Sequence, residues 1–332
     1  MIQTEWVVER LRQQETPIEI AIEQIRTTGD AITHLPLNEI GNDGVFVMEI
    51  ERALLEGRID LAVHSLKDLP TTQTEGLSVI AVGAREDARD VLVVNGQIDQ
   101  PWATNPGLSL KETDPQAVHS RGDPGGRPGV RIGTCSLRRT AQMRAVLPEV
   151  AILPLRGNVD TRLRKLDAGD YDGIVLAAAG LHRLGVHERL AGRMSYLPIE
   201  VMMPAPGQGA LALEVRDEPE IQRLLAPLRN AITQAATSAE RAFMRRLGAG
   251  CYLPVAAHGE ITAEALVLGG LVISLDGQQQ ARVHGSMPWT PETPVGHAEQ
   301  LGVQLAERAL AEGAAEIIST LHEIRFGEHQ HV

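Results

Sequence analysis

Short apolar runs alternate along this chain with longer amphipathic stretches, and that alternation is what most constrains its fold. Ile59-Asp60-Leu61-Ala62-Val63, Leu77 to Val82, Val91 to Val94, Val130 to Gly133, Val150 to Leu155 and Gly173 to Leu176 have the length and composition of buried strands. Ile18-Glu19-Ile20-Ala21-Ile22 alternates with the period of a further strand. Helical spacing fills intervals from Gln3 to Gln14, Val47 to Glu56, from Ser136, from Val159 to Leu166 and after Ala179. The predicted class is therefore α/β.

Between Gly96 and Gly129 the pattern dissolves into Asn, Pro, Gly, Asp and Ser, which reads as a domain connection carrying an inserted, mobile surface loop. Pro204-Ala205-Pro206-Gly207-Gln208-Gly209 reads as a turn into a strand over Ala210 to Val215 that returns the chain to its first part. The expected division is residues 1–95 with 206–224 as one α/β lobe, 96–129 as connection, and 130–205 as a second lobe. Residues 228–332 then form a smaller C-terminal α+β domain. In that domain Ile232, Ala235, Ala236, Ala239, Phe243 and Leu247 recur at helical spacing, and Gly248 suits the left-handed position after the helix. Strands are predicted over Ala256 to Ile261, Ala265 to Leu275 and Gln280 to His284, with a helix from Gly296 to Leu310. Two lobes joined by a flexible crossing make a cleft, where small ligands usually bind.

A net charge of −12 and 3% aromatic residues argue against a nucleic-acid partner. No apolar run approaches the roughly 18 residues of a membrane span, and Met1-Ile2-Gln3-Thr4-Glu5-Trp6 is not the start of a signal peptide. The expectation is a cytoplasmic protein with no membrane partner. The histidines of Glu328-His329-Gln330-His331-Val332 read as a frayed tail, and no metal site is expected. Cys135 and Cys251 are the only cysteines, which leaves neither a disulfide framework nor a zinc cluster. Cys251 lies in Arg246-Leu247-Gly248-Ala249-Gly250-Cys251-Tyr252-Leu253-Pro254, just past the long helix, where a thiol on a loop can be reached by a reagent. An inert, buried cysteine is the alternative there.

Against the acidic whole stands a basic island: Arg131, Arg138, Arg139, Arg144, Arg156, Arg162, Arg164 and Lys165. Such an island points to a confined anionic ligand, although Arg144, Arg164 and Lys165 fit a solvated helix face. In open α/β sheets ligands collect beyond the carboxyl ends of strands. One strand end carries His64-Ser65-Leu66-Lys67-Asp68-Leu69-Pro70, an ammonium beside a carboxylate on a loop stiffened by proline. Asp68 there suits proton transfer or the holding of a developing cation; a turn aspartate bonded to backbone is the alternative. Another carries Thr134-Cys135-Ser136-Leu137-Arg138-Arg139, with Ser136 as a helix cap. Two arginines in a first helical turn oppose the helix dipole at about 0.3–1 kcal/mol each, a local conflict that suggests anion binding. Arg156-Gly157-Asn158-Val159-Asp160-Thr161-Arg162 repeats the arrangement with Asn158 as cap, and Arg183 follows the next strand in the same way. Arginines at several strand ends on one rim would hold a ligand with several carboxylates.

Val63 to Pro70, Gly133 to Arg139, Leu155 to Leu163, Leu176 to Leu181, Pro206 to Ala210 and Gly248 to Cys251 together resemble the porphobilinogen deaminase (hydroxymethylbilane synthase) family, spread over most of the chain and in family order. The resemblance implies two lobes similar to a type II periplasmic binding protein, with the third domain carrying the cysteine. It also implies a covalent dipyrromethane cofactor on Cys251, one per chain. Four porphobilinogen units are added to it head to tail with loss of ammonia, and water then releases hydroxymethylbilane. Asp68 would stabilise the cationic azafulvene left when ammonia departs. Lys67, Asp68, Thr134, Ser136, Arg138 and Arg139 would bind the cofactor, and Arg156, Arg162 and Arg183 the substrate carboxylates. A monomer is expected.

Three departures from the family stand out. The Arg-x-Ser-x-Leu-Ala strand that usually precedes the helix near Gln3 is missing, which predicts an exposed sheet edge and a start codon upstream of Met1. Glu39 and Asp43 stand in the loop Glu39 to Gly44 where the family usually has lysines, and the 96–129 loop is longer than usual. The rival readings are a non-catalytic anion-binding module of the same two-lobe architecture and a paralogue without cofactor.

Overall fold

The computed structural model describes residues 1–14, 18–25, 47–96, 130–248 and 253–327. Helices α1 (Ile2–Arg12) and α2 (Met48–Leu55) pack on a sheet of β1 (Leu61–Ser65), β2 (Leu77–Val82) and β8 (Leu211–Arg216). Its order is β1-β8-β2, with β8 antiparallel to both neighbours. The turn Pro204 to Gly209 leads into β8, which occupies the centre of this sheet. Gly207 and Gly209 take φ of +77° and +88°, a conformation that L side chains rarely adopt. Val7, Leu11, Ile80, Val82, Leu213 and Val215 form the core beneath this sheet.

The second sheet has the order β5-β4-β6-β3-β7, built from β3 (Asp90–Val94), β4 (Arg131–Gly133), β5 (Ala151–Leu153), β6 (Gly173–Ala177) and β7 (Met194–Tyr196). β4 runs parallel to β5 and β6, and β3 antiparallel to β6 and β7. Crossover helices α3 (Leu137–Val146) and α4 (Val159–Asp167) link the parallel strands, and α5 (Ala178–Arg183) leaves β6, so three strand ends open on one rim. Here the structure corrects the sequence reading. Val91 to Val94, assigned to the first lobe by the boundary at residue 95, belongs to the second sheet, so the outgoing crossing lies between Val82 and Asp90.

Helix α6 (Pro219–Leu225) leads to α7 (Ala231–Arg246), which with α8 (Val295–Ala309) covers a meander of β9 (Val255–Thr262), β10 (Ala265–Ile273) and β11 (Gln280–Pro288) in the order β11-β10-β9. A last helix, α9 (Ala315–Gly327), follows a break at Gly313, where φ is +108°. Phe243 of α7 is fully buried, and Gly270 of β10 admits it: a Cβ there would sit 2.4 Å from the ring. Gly248 takes the expected left-handed φ of +65°.

The expected strand over Ile18 to Ile22 does not form. No strand among the described residues pairs with it; Ile18 and Ile20 pack on the first core while Ile22 is exposed. Periodicity chose the right face, and backbone pairing is what a strand further requires. β1 lies at an edge of its sheet among the described strands. The loop Glu39 to Gly44, the stretch 97–129 and Cys251 lie outside the described residues.

Candidate functional site

β1 ends at Ser65 in a 3₁₀ turn, Leu66–Asp68, whose orientation is set by what it buries. Leu66 and Leu69 are inside, Leu66 N donates to Ala210 O at 3.0 Å, and Asp68 is left exposed beside half-buried Lys67. Pro70 holds Leu69 extended, with ψ of 136°. Burial pushes the Lys67 ammonium below its ordinary range; Asp68 and Asp90 oppose that shift and Arg139 and Arg138 add to it. These five groups therefore share one electrostatic environment, which joins the end of β1 to the second lobe.

On the second lobe Ser136 caps α3, accepting from Arg139 N at 3.5 Å, and Ser136 N donates to Thr134 Oγ1 at 3.1 Å. Thr134 is buried. Asn158 caps α4 as expected, accepting from Thr161 N at 2.9 Å. Arg138 and Arg139, however, do not stand open on the rim. They are 5% and 6% exposed and converge on Asp90, which is fully buried. Arg138 Nη1 donates to Asp90 Oδ2 and Met203 O, both at 2.7 Å. Arg139 donates through Nη2 to Asp90 Oδ1 at 2.8 Å and through Nη1 to Val175 O at 3.0 Å. The dipole conflict of the first turn is thus met by an internal carboxylate. Burial raises the Asp90 carboxyl, but the Arg138 and Arg139 guanidiniums overcome this and hold it well below the usual carboxylate range.

Arg162 lies in the first turn of α4, its Nε donating to Gly157 O at 2.7 Å. Burial and Arg139 push its guanidinium down, and Cys135 and Asp68 oppose them. Arg156 Nη2 is buried and has no hydrogen-bond partner among the described residues. Arg183 differs from the sequence expectation. It is the last residue of α5, where a cation suits the helix dipole, and its Nη2 donates to Gly209 O at 2.6 Å on the returning crossing. Burial lowers its guanidinium, opposed by Glu86.

Sequence reasoning missed Asp90, Gln208 and Glu240, whose partners are remote in the chain. Gln208 Nε2 bridges Ala88 O at 2.7 Å and Asp90 Oδ1 at 2.9 Å. No local signal marked them: Asp90 follows Arg89 and Glu240 precedes Arg241, so each carboxylate has a cationic neighbour in sequence that is not its partner at this junction. Lys67, Arg156, Arg162 and Arg183, with the buried pair Arg138 and Arg139 behind them, outnumber Asp68, Asp90 and Glu86, a cationic surplus suited to a ligand bearing several carboxylates. No group of potential metal ligands occurs among the described residues.

Residues 1–223 match the family described as porphobilinogen deaminase, dipyromethane cofactor binding domain, and residues 235–311 match porphobilinogen deaminase, C-terminal domain. The chain belongs to the porphobilinogen deaminase family. It is similar to the porphobilinogen deaminase of Syntrophotalea carbinolica, with 44% identity over 96% of this chain and 91% of that one. To that of Desulforudis audaxviator it is 43% identical, covering 96% and 93%. Among solved structures, the VFT2 domain of BvgS from Bordetella pertussis is similar over 69% of this chain and 84% of its own, at 15% identity and a TM-score of 0.34. The rival readings, an anion-binding module without catalysis and a paralogue without cofactor, find no support in the family match. In a porphobilinogen deaminase the cationic rim and the orphaned Arg156 donor fit a dipyrromethane, whose side chains are carboxylates.

Proposed function

We propose that this chain is the transferase of tetrapyrrole biosynthesis that joins four porphobilinogen molecules head to tail, releases ammonia at each addition, and frees hydroxymethylbilane by hydrolysis, with Asp68 as its catalytic group. The observation that carries the site assignment is the placing of Asp68, exposed at the end of its turn, within electrostatic reach of Lys67 and Arg162 in a rim otherwise made of guanidiniums. The dipyrromethane supplies, when bound through Cys251, the pyrrole carbon to which the first unit is joined.

Everything else falls to the chain's own groups. Arg156, Arg162 and Arg183 pair with the acetate and propionate groups of porphobilinogen and fix its methylene carbon toward Asp68. As the carbon–nitrogen bond breaks and ammonia leaves, the Asp68 carboxylate faces the positive charge that develops on that carbon. When the new carbon–carbon bond has formed, the same carboxylate takes the proton displaced from the ring. Lys67, Thr134, Ser136, Arg138 and Arg139 hold the cofactor's carboxylates, Arg138 and Arg139 from a position already fixed by Asp90.

No helix among the described residues is long and apolar enough to cross a membrane. A monomer that works in the cytoplasm without a membrane or nucleic-acid partner completes this reading, the net charge of −12 standing against a polyanionic partner. Two variants test the reading. Asp68→Asn is expected to bind porphobilinogen and keep its cofactor while kcat falls about 10²–10⁴-fold; turnover near the wild-type rate removes Asp68 from the chemistry. Cys251→Ser is expected to lose the mass of the dipyrromethane and the colour with Ehrlich's reagent. Retention of both moves the anchor elsewhere.

A further inference from the structure

Arg241 lies on α7, the helix that ends at Arg246 shortly before Cys251 in sequence, yet its side chain leaves the C-terminal unit. Nη1 donates to Leu69 O at 3.1 Å and Nη2 to Pro70 O at 2.6 Å. Those carbonyls belong to the two residues that follow Asp68. Its neighbour Glu240 turns the other way and accepts from Gly207 N at 2.6 Å. Gly207 in turn is pressed on the same turn from its far side: a Cβ there would meet Lys67 N at 3.2 Å and the carbonyl carbon of Leu66 at 3.3 Å. Consecutive residues of one helix therefore grip the Lys67–Asp68 turn, one directly from downstream and the other through the returning crossing.

A guanidinium is a costly choice for holding two main-chain carbonyls. Burial pushes Arg241 down to about 10, Arg245 adds to the shift, and Glu214 opposes it. Glu214 does not relieve it by direct pairing. Glu214 Oε2 lies 3.0 Å from His64 Nε2, though at an angle that forms no hydrogen bond, and Glu51 on α2 is raised by burial and by Glu214. A half-buried cation with no ion pair among the described residues costs stability, and such local costs are expected where function requires them.

We propose that Arg241 is a positioning residue for Asp68: it locks the Leu69–Pro70 backbone to α7, and so sets the catalytic carboxylate in register with the helix that leads to the cofactor's anchor. This rests on the assignment of Asp68 and Cys251 made above. Head-to-tail joining needs the reacting carbon, the carboxylate and the anchored end held together, and a misplacement of about 1 Å can cost about 10²-fold in rate.

The test compares holoenzymes of wild type, Arg241→Gln, Arg241→Lys, Asp68→Asn and the double variant Asp68→Asn/Arg241→Gln. Arg241→Gln is expected to give the full Ehrlich colour, to keep KM within about twofold and to lose about 10- to 100-fold in kcat, with Arg241→Lys between it and wild type. In single-turnover rates the Arg241→Gln loss is expected to vanish in the Asp68→Asn background, because a residue acting through Asp68 has nothing left to position. A wild-type kcat in Arg241→Gln, a loss confined to KM, or an undiminished loss in the double variant would each overturn the proposal. Should Arg241→Gln fail to fold or load cofactor, Arg241→Lys decides: lowered kcat at unchanged KM supports it, and wild-type kcat refutes it. An active Asp68→Asn enzyme instead refutes the assignment of Asp68, whatever Arg241 does.

Discussion

At the scale of single residues Asp90 holds the second lobe's charges in place. It is fully buried and takes bonds from Arg138, Arg139 and Gln208. Removing its charge in Asp90→Asn leaves two guanidiniums buried without their counterion, which costs about 3–5 kcal/mol at neutral pH. The sign with pH follows from a folded-state pKa depressed below its unfolded value. Its stabilisation is complete above about pH 4, where the unfolded carboxylate is ionised, and is lost as pH falls toward the folded value. Denaturant unfolding of wild type and Asp90→Asn should therefore show a gap that is constant near neutrality and narrows below about pH 4; a gap independent of pH would mean Asp90 is not the ionised partner. In sequence Asp90 carries no signal of this role, because its partners Arg138 and Arg139 are separated from it by 48 and 49 positions. The arginine pair was noticed through its conflict with the helix dipole, and the conflict was real; what sequence could not supply was the carboxylate that resolves it.

Among elements, the close contact of α7 and α8 makes a prediction in which two effects oppose. Gly302 of α8 faces α7, and a Cβ there would meet Ala239 O at 2.2 Å and Ala242 Cβ and Phe243 N at 2.9 Å. Gly302→Ala gains about 1 kcal/mol of helix propensity, but it forces two packed backbones apart, and overpacking of that kind costs about 1–3 kcal/mol or more. A contact of 2.2 Å with a main-chain carbonyl lies at the severe end, so the variant is expected to be less stable than wild type. Its denaturant midpoint should fall with the m-value unchanged; a rise would mean that the helices part without cost. Elements with strong periodicity or a side-chain cap were legible in sequence, as Ser136 before α3 and Asn158 before α4 show. The three-residue edge strand β7, Met194–Tyr196, was not, since no apolar run marks it, whereas the equally short β4 and β5 lie within the runs Val130 to Gly133 and Val150 to Leu155. Ile18 to Ile22 failed for the converse reason: a period was present, and no pairing strand stands beside it among the described residues.

The whole molecule is tied together at one carboxylate. Arg85 stands on the outgoing crossing, Gly207 on the returning one and Gly259 on β9, and all three donate to Glu240 of α7, at 2.6 Å from Arg85 Nη1, Gly207 N and Gly259 N. Arg85 Nη2 adds a second bond at 3.1 Å and Arg85 Nε binds Gln208 O at 2.9 Å, so the two crossings are joined to each other as well as to the C-terminal unit. The sequence showed that the chain crosses and returns, but a junction assembled from four segments far apart in order has no local signature. Glu240→Gln keeps the side chain's size while removing its charge and turning one oxygen into a donor that faces other donors, a loss of about 3–5 kcal/mol. Because that loss falls mainly on contacts between units, with only the bond to Gly259 N lying inside the C-terminal unit, it should lower cooperativity as well as stability. Calorimetry of Glu240→Gln is expected to resolve two unfolding transitions, with the fluorescence of Trp289, buried in the C-terminal core, following only one of them. Gly302→Ala, which weakens a contact inside that unit, serves as the control. If Glu240→Gln unfolds in a single transition that is merely shifted, the units are coupled through other contacts, and α7 does not communicate with the crossings through Glu240.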